Sequence, residues 1–264
     1  MKLCRFEIKA EPGLARSGIV MGGKVYETDG ANAIAMLEAE AVRPLAPIAS
    51  APSLRIFRND FQPLPQPDGL EPHYFYGNPS SLFGPSQVLP FPEFTSRVAV
   101  IPFVAAIIVT PGFRVPLDQA DDMVLGYCPL CLLNMPDLEA SERRLGGLGR
   151  SIDIGGAIGP VLTTPDELDD YLVDQEFGRR YGLNAVCRVN QVDHSRGNLE
   201  HLALTFAEAI SAASQSTQIK EGDIFALGPV ADLDSPLMLD PGDDFQLSIE
   251  NLGTLSLKLA EEGV

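Results

Sequence analysis

The stretch of residues 98–109 constrains the fold more than any other: it reads Val-Ala-Val-Ile-Pro-Phe-Val-Ala-Ala-Ile-Ile-Val, with no polar side chain at any position. Pro102 disfavours a helix there, because proline lacks the backbone donor and crowds the preceding turn. A strand sends successive side chains to opposite faces, so one that is apolar at both parities needs cover above and below. The stretch therefore predicts a central strand in a sheet with a packed layer on each side. It is also shorter than the roughly 18 residues needed to cross a bilayer.

A chain of 264 residues has room for a large domain built on that strand and a small unit beside it. Residues 1–50 are expected to form a small N-terminal α+β unit and linker, and residues 51–264 a β-rich domain. In the first unit, 3–8 and 18–26 alternate as short strands, and Asp29 stands where it would cap a helix over about 31–41. Between Pro44 and Pro92 prolines recur at 47, 52, 63, 65, 67, 72, 79, 85 and 90, which excludes long helices and leaves loops to dominate.

Beyond the central strand, residues 123–133 read as a second core strand. Residues 137–145 predict a short helix with Glu139, Glu142 and Arg143 on an exposed face. Thr164-Pro-Asp-Glu167 has the pattern of a capping box, with a helix to about residue 173. Strands follow at 183–189, 223–227, 245–249 and 254–259, the last two joined as a hairpin around Asn251-Leu-Gly253. A helix is expected over 199–213, with Leu199, Leu202, Phe206 and Ile210 along one stripe.

The formal charge of -17 argues against nucleic acid or anionic membrane as a partner, since binding phosphates rests on Lys and Arg. The N-terminal residues carry scattered charges and no continuous apolar run, so a cytoplasmic location is expected. Cys128 and Cys131 form a CxxC without a second pair, and Leu132, Leu133 and Pro136 follow it; two reduced, packed thiols are the expectation.

Familiar catalytic patterns are missing. The glycines at 155, 156 and 159 are followed by Pro160 and not by a helix, unlike a phosphate-cradling loop. His73, His194 and His201 show no zinc-hydrolase spacing, and Asp193-His194 is expected at a surface turn near Gly197.

One ordered series nevertheless stands out: Gly126-Tyr127, Arg150-Ser-Ile-Asp153, Ile158-Gly-Pro160, Thr164-Pro-Asp-Glu-Leu168, Val189-Asn190, Gly222-Asp-Ile224, Pro241-Gly-Asp243 and Ile249-Glu-Asn-Leu-Gly253. In order and spacing, from about residue 72 onward, it resembles the fumarylacetoacetate hydrolase superfamily, with Pro72-His-Tyr-Phe75 and Ser80-Ser-Leu-Phe-Gly84 similar to its entry segment. The resemblance implies an α+β, β-rich mixed sandwich roll, usually dimeric, acting on small oxo acids. It also implies a magnesium or calcium ion held by three carboxylates, and a His-Glu dyad that activates water. Such a hard cation takes oxygen ligands and stabilises an enolate.

The same resemblance places those three carboxylates at Ile101, Phe103 and Leu132, none of which can coordinate a metal. The dyad region falls on Asn59-Asp60, Pro63 and Gln66, and no histidine occurs before residue 72. The family lysine becomes Arg150, its aspartate is kept at Asp153, its glutamine falls near Ser195, and its Thr-Gly-Thr becomes Leu227-Gly-Pro229. The expectation is a divergent member with no metal and no cofactor: a pseudoenzyme serving as a binding or partner subunit, as a homodimer or a hetero-oligomer with a related chain. Tyr127, Arg150 and Asp153 are the candidate residues for a small organic-acid ligand. The alternative is a metal-independent hydrolase, lyase or isomerase that holds a small oxo acid or β-diketone through Arg150, with Tyr127 or His73 as acid or base.

Overall fold

The computed structural model describes residues 1–30, 32–58, 72–93, 95, 97–231 and 236–261. The chain opens with five antiparallel strands, β1 (Lys2–Ile8), β2 (Glu11–Met21), β3 (Lys24–Thr28), β4 (Ala33–Glu38) and β5 (Val42–Leu45). Cys4, Phe6, Val25 and Val42 close a small core of their own with Val161. Where the prolines are dense, regular structure among the described residues comprises four short strands, β6 (Leu54–Arg58), β7 (Phe75–Gly77), β8 (Leu82–Phe83) and β9 (Gln87–Leu89), and one helical turn at Pro79–Ser81.

The long strands β10 (Val98–Ile108) and β11 (Val124–Asn134) follow, separated by the short helix α1 (Leu117–Ala120). After them come α2 (Pro136–Arg144), β12 (Gly156–Ile158), β13 (Leu162–Thr163), β14 (Leu172–Asp174), β15 (Arg180–Tyr181), β16 (Asn184–Val189) and β17 (Val192–Asn198). Helix α3 (Phe206–Ser214) and strands β18 (Ile224–Gly228), β19 (Leu237–Leu239), β20 (Asp244–Ile249) and β21 (Gly253–Leu259) complete the described chain. The result is the β-rich mixed architecture expected.

The main sheet runs β4-β3-β2-β1-β13-β11-β10-β18-β6-β7, and a second sheet runs β17-β16-β20-β21-β9. Every residue of β10 is buried, and the strand lies between β11 and β18 as its sequence requires. Its even-numbered residues Val98, Val100, Val104, Ala106 and Ile108 enter the core shared with the second sheet and α3. Its odd-numbered residues Ile101, Phe103, Ala105 and Ile107 enter a separate core on the opposite face, with Leu54, Ile56, Leu130 and Leu132.

Several local expectations are corrected. The helix over 31–41 is instead the edge strand β4 and a single turn at Ala39–Ala41; β3 supplies β4 with ladder hydrogen bonds, and Asp29 caps only a tight turn, accepting from the Asn32 amide at 2.9 Å. The strand over 18–26 is two strands hinged at Gly22 and Gly23, whose positive φ angles of 59° and 77° suit a turn. The helix over 199–213 shrinks to a turn at Leu199–His201 followed by α3, because Thr205 and Glu208 form a full capping box.

At Thr164 no such box forms. Its hydroxyl bonds Asp166, and residues Pro165–Tyr171 wind as a 3-10 helix. The β20–β21 hairpin forms as expected, with Asn251 at φ 59°. Asp193-His194 lies on the exposed strand β17 and not at a turn, Asp193 being held by Arg188 at 2.6 Å and by Arg196.

Candidate functional site

β10 and β11 pair antiparallel in a register that sets Ile101 directly opposite Leu132 and Phe103 directly opposite Leu130. Ile101 and Leu132 are 7% exposed and Phe103 is 1% exposed. The three side chains that the sequence resemblance sets at the family's ligand positions thus share one sheet face and one hydrocarbon cluster. Burying each of them contributes about 1.5–3 kcal/mol, whereas an ionised carboxylate there would be desolvated without a counter-charge. A divalent ion does not fit this set of residues. Among the described residues no group of three His, Cys, Asp or Glu is placed to hold a metal.

A polar assembly lies at the open end of the same face. Leu54, Ile56 and Arg58 share a parity on β6, so the arginine leaves the strand on the side of the apolar cluster. Arg58 pairs in register with Gly228, and Gly228 abuts Phe103 so closely that a Cβ there would lie 2.8 Å from the phenyl ring. The Arg58 guanidinium donates to Glu139 Oε1 of α2 at 3.3 Å.

Glu139 also accepts from Arg143 Nε at 3.0 Å and from Asn134 Nδ2. The sequence places Glu139 on an exposed helical face; in the structure it is 7% exposed, because α2 turns this residue toward Arg58. Since β6 and β11 are separated by β18 and β10, this network bridges the strand ends beside the three apolar residues. The sequence reading does not single out Arg58 or Asn134, and it names Glu139 only as exposed helix surface. The available signal was the shared parity of Leu54, Ile56 and Arg58.

Arg150 and Asp153 occupy a different surface. The turn that carries them is pinned by Glu142, whose carboxylate accepts from the amides of Gly149, Arg150 and Ser151 at 3.0, 2.8 and 3.2 Å and from the Ser151 hydroxyl. Partial burial would raise the Glu142 pKa, but the Ser151 hydroxyl and those three amides outweigh it and hold the carboxyl below its ordinary value. Both Arg150 and Asp153 are exposed, and Asp153 accepts from Asn78 Nδ2 at 2.8 Å. They line a cleft of about 340 Å³ with Pro90, Pro92, Met135 and Ile154. The cleft is thus lined by a cation, a carboxylate and an apolar wall.

Tyr127 does not join them. On β11 it has the parity of Cys131 and Leu133, so it points into the core on the far side of the sheet from Leu132, 1% exposed and packed against Tyr181 and Phe206. Burial pushes its hydroxyl pKa well up, and it lines neither the cleft nor the apolar cluster. Cys128 and Cys131 likewise point to opposite faces, since three residues along a strand reverse the side. Burial raises each thiol to about 12, in keeping with packed, reduced cysteines. His73 is exposed, while Asn59, Asp60, Pro63 and Gln66 lie outside the described residues.

Residues 51–260 match the family model for the C-terminal domain of fumarylacetoacetate hydrolase. An uncharacterized protein of Staphylococcus aureus strain USA300 is 29% identical over 188 residues, which cover 69% of this chain and 59% of that protein. The chain therefore spans little more than half the length of that relative. Among solved structures, 2-hydroxyhepta-2,4-diene-1,7-dioate isomerase from Mycobacterium marinum superposes with a TM-score of 0.80 at 21% identity, over 100% of both chains. Maleylpyruvate hydrolase from Sphingobium sp. SYK-6, solved in complex with manganese(II) and pyruvate, superposes with a TM-score of 0.75 at 20% identity, over 99% of both. At these identities the two structures share the fold alone.

Proposed function

The chain belongs to the fumarylacetoacetate hydrolase family, and from that membership we propose that it is a metal-free member: a pseudoenzyme that binds a small organic acid or a partner subunit. The observation that carries this reading is the register of Ile101 against Leu132, with Phe103 beside them, which fills with hydrocarbon the place where the family resemblance puts three carboxylates. Replacing all three by apolar residues also removes the repulsion and desolvation that empty carboxylates would impose on the fold.

The ligand site in this reading is the cleft at Arg150. A guanidinium can take a carboxylate with two parallel hydrogen bonds, and Asp153 stands ready to accept from a hydroxyl or enol on the same molecule. The cleft also favours a second reading, in which Arg150 holds a small oxo acid or β-diketone for a metal-independent hydrolase, lyase or isomerase reaction. Tyr127 has no part in either, and an acid or base would have to come from elsewhere.

Metal binding tests the proposal first. Purified protein is expected to carry no stoichiometric divalent ion, and magnesium, calcium or manganese should leave its melting temperature unchanged; a clear rise at sub-millimolar metal would overturn the metal-free reading. Calorimetric titration with a panel of oxo acids then separates the two roles of the cleft. Binding without turnover, lost in Arg150→Ala, supports the pseudoenzyme, whereas turnover lost in the same variant supports the second reading.

A further inference from the structure

A second cleft, of about 440 Å³, opens where the turn before β11 meets the loop between β14 and β15. Asp118, Asp121, Asp122 and Glu176 bring four carboxylates to its lining, against the single guanidinium of Arg179, and Leu117 adds an apolar wall. The turn Asp121–Met123 leads into β11 and Met135 follows it, so this cleft and the Arg150 cleft lie at opposite ends of an eleven-residue strand.

Carboxylates alone would mark only a solvated acidic surface. The floor of this cleft carries more. Asp121 Oδ2 accepts from the Arg179 amide at 2.7 Å, whereas Oδ1 is buried with no hydrogen-bond partner among the described residues. The hydroxyls of Tyr127 and Tyr181, residues 1% and 7% exposed, are buried and unpartnered in the same way. The two rings pack edge to face at 5.5 Å, and each hydroxyl feels the charges of Asp121 and Arg179, which line the cleft. Both phenols therefore end at its floor. Three such oxygens without a donor are unusual in a folded interior, where buried polar groups are nearly always hydrogen-bonded.

Number and charge identify the donor that suits them. An ammonium group offers three N–H donors and no acceptor, one for each oxygen. Four carboxylates against one guanidinium favour a cation and repel an organic acid. A hard divalent ion does not suit the cleft, because among the described residues no group of three His, Cys, Asp or Glu is placed to hold one. The volume leaves room for an aliphatic chain along Leu117, and the outer carboxylates can meet a second positive end.

We propose that this cleft binds a small aliphatic amine, a diamine by preference. One ammonium donates to Asp121 Oδ1 and to the Tyr127 and Tyr181 hydroxyls, and the other meets the carboxylates of Asp118, Asp122 and Glu176.

Isothermal titration of the whole chain with 1,4-diaminobutane tests it. Saturable one-to-one binding is expected, with butylamine about tenfold weaker and 1,4-butanediol silent. Asp121→Asn should weaken the diamine by about tenfold or more, and Tyr181→Phe by roughly threefold to tenfold, both with unchanged far-ultraviolet circular dichroism. Asp118→Asn, at an exposed position, should weaken the diamine and leave butylamine unchanged. A further readout needs no variant: the chain has no tryptophan, so near-ultraviolet circular dichroism reports its tyrosines, and that band should change on saturation. Absence of saturable diamine binding, equal affinity for 1,4-butanediol, equal displacement by potassium chloride at matched ionic strength, or full affinity in both Asp121→Asn and Tyr181→Phe would each overturn the proposal.

Discussion

Arg58 and Glu139 meet across two intervening strands. The arginine ends β6, the glutamate sits on the helix that follows β11, and their side chains are 8% and 9% exposed. Beneath this pair lie hydrocarbon side chains at the positions where the family resemblance expects carboxylates. A cation is thus still present near the strand ends, but it belongs to the protein and is already matched by a carboxylate.

That pairing predicts a strong asymmetry between single and double substitutions. Glu139→Leu should destabilise by about 3–5 kcal/mol, because it removes the buried carboxylate that accepts from Arg58, Arg143 and Asn134. The double variant Arg58→Met with Glu139→Leu should recover most of the loss, while Arg143, 45% exposed, turns to water. Urea denaturation of the four proteins in a double-mutant cycle measures it.

Leu132→Asp should cost about 3–5 kcal/mol, since it places one carboxylate in a dry cluster with no counter-charge. The cost should not fall when manganese is added, because Ile101 and Phe103 still offer no ligands. The shift in denaturation midpoint with and without metal checks both parts.

Acid should loosen the Arg150 turn. The Glu142 carboxyl is held below its ordinary 4.5, so its contribution is complete above that value and is lost as pH falls through the lower, folded-state value. Glu142→Gln should therefore melt below wild type at pH 7, and the gap should close as the solution is acidified below the ordinary carboxyl value. Thermal melts of both proteins across that range give the answer.

Native protein should resist thiol reagents. All four cysteines are free and buried, and burial raises Cys4 and Cys187 to about 11 as well as Cys128 and Cys131 to about 12. Ellman's reagent should titrate none of them before unfolding and four afterwards. Mild oxidation should not link Cys128 to Cys131.

The central strand was legible because hydrophobicity at both parities has a single structural solution, and the register that unites Ile101 with Leu132 follows the motif order. The position of Tyr127 was not read, since the motif marks a place in the chain and not a side of the sheet; in an unbroken register Tyr127 lies five residues from Leu132, and strand alternation puts the two on opposite faces. The edge strand β4 was hidden by its alanines, which suit a helix until β3 supplies a ladder. Arg58 with Glu139 could not be read at all without topology, because 81 residues separate them.

The three apolar residues under that pair also have a historical consequence. A single change back to a carboxylate gains no ion and loses part of the core, so each first step toward a metal site is disfavoured on its own. Only a concerted change at Ile101, Phe103 and Leu132 would place three carboxylates together there. On the proposed metal-free reading, selection on folding alone therefore works as a ratchet that opposes each single step toward a metal site.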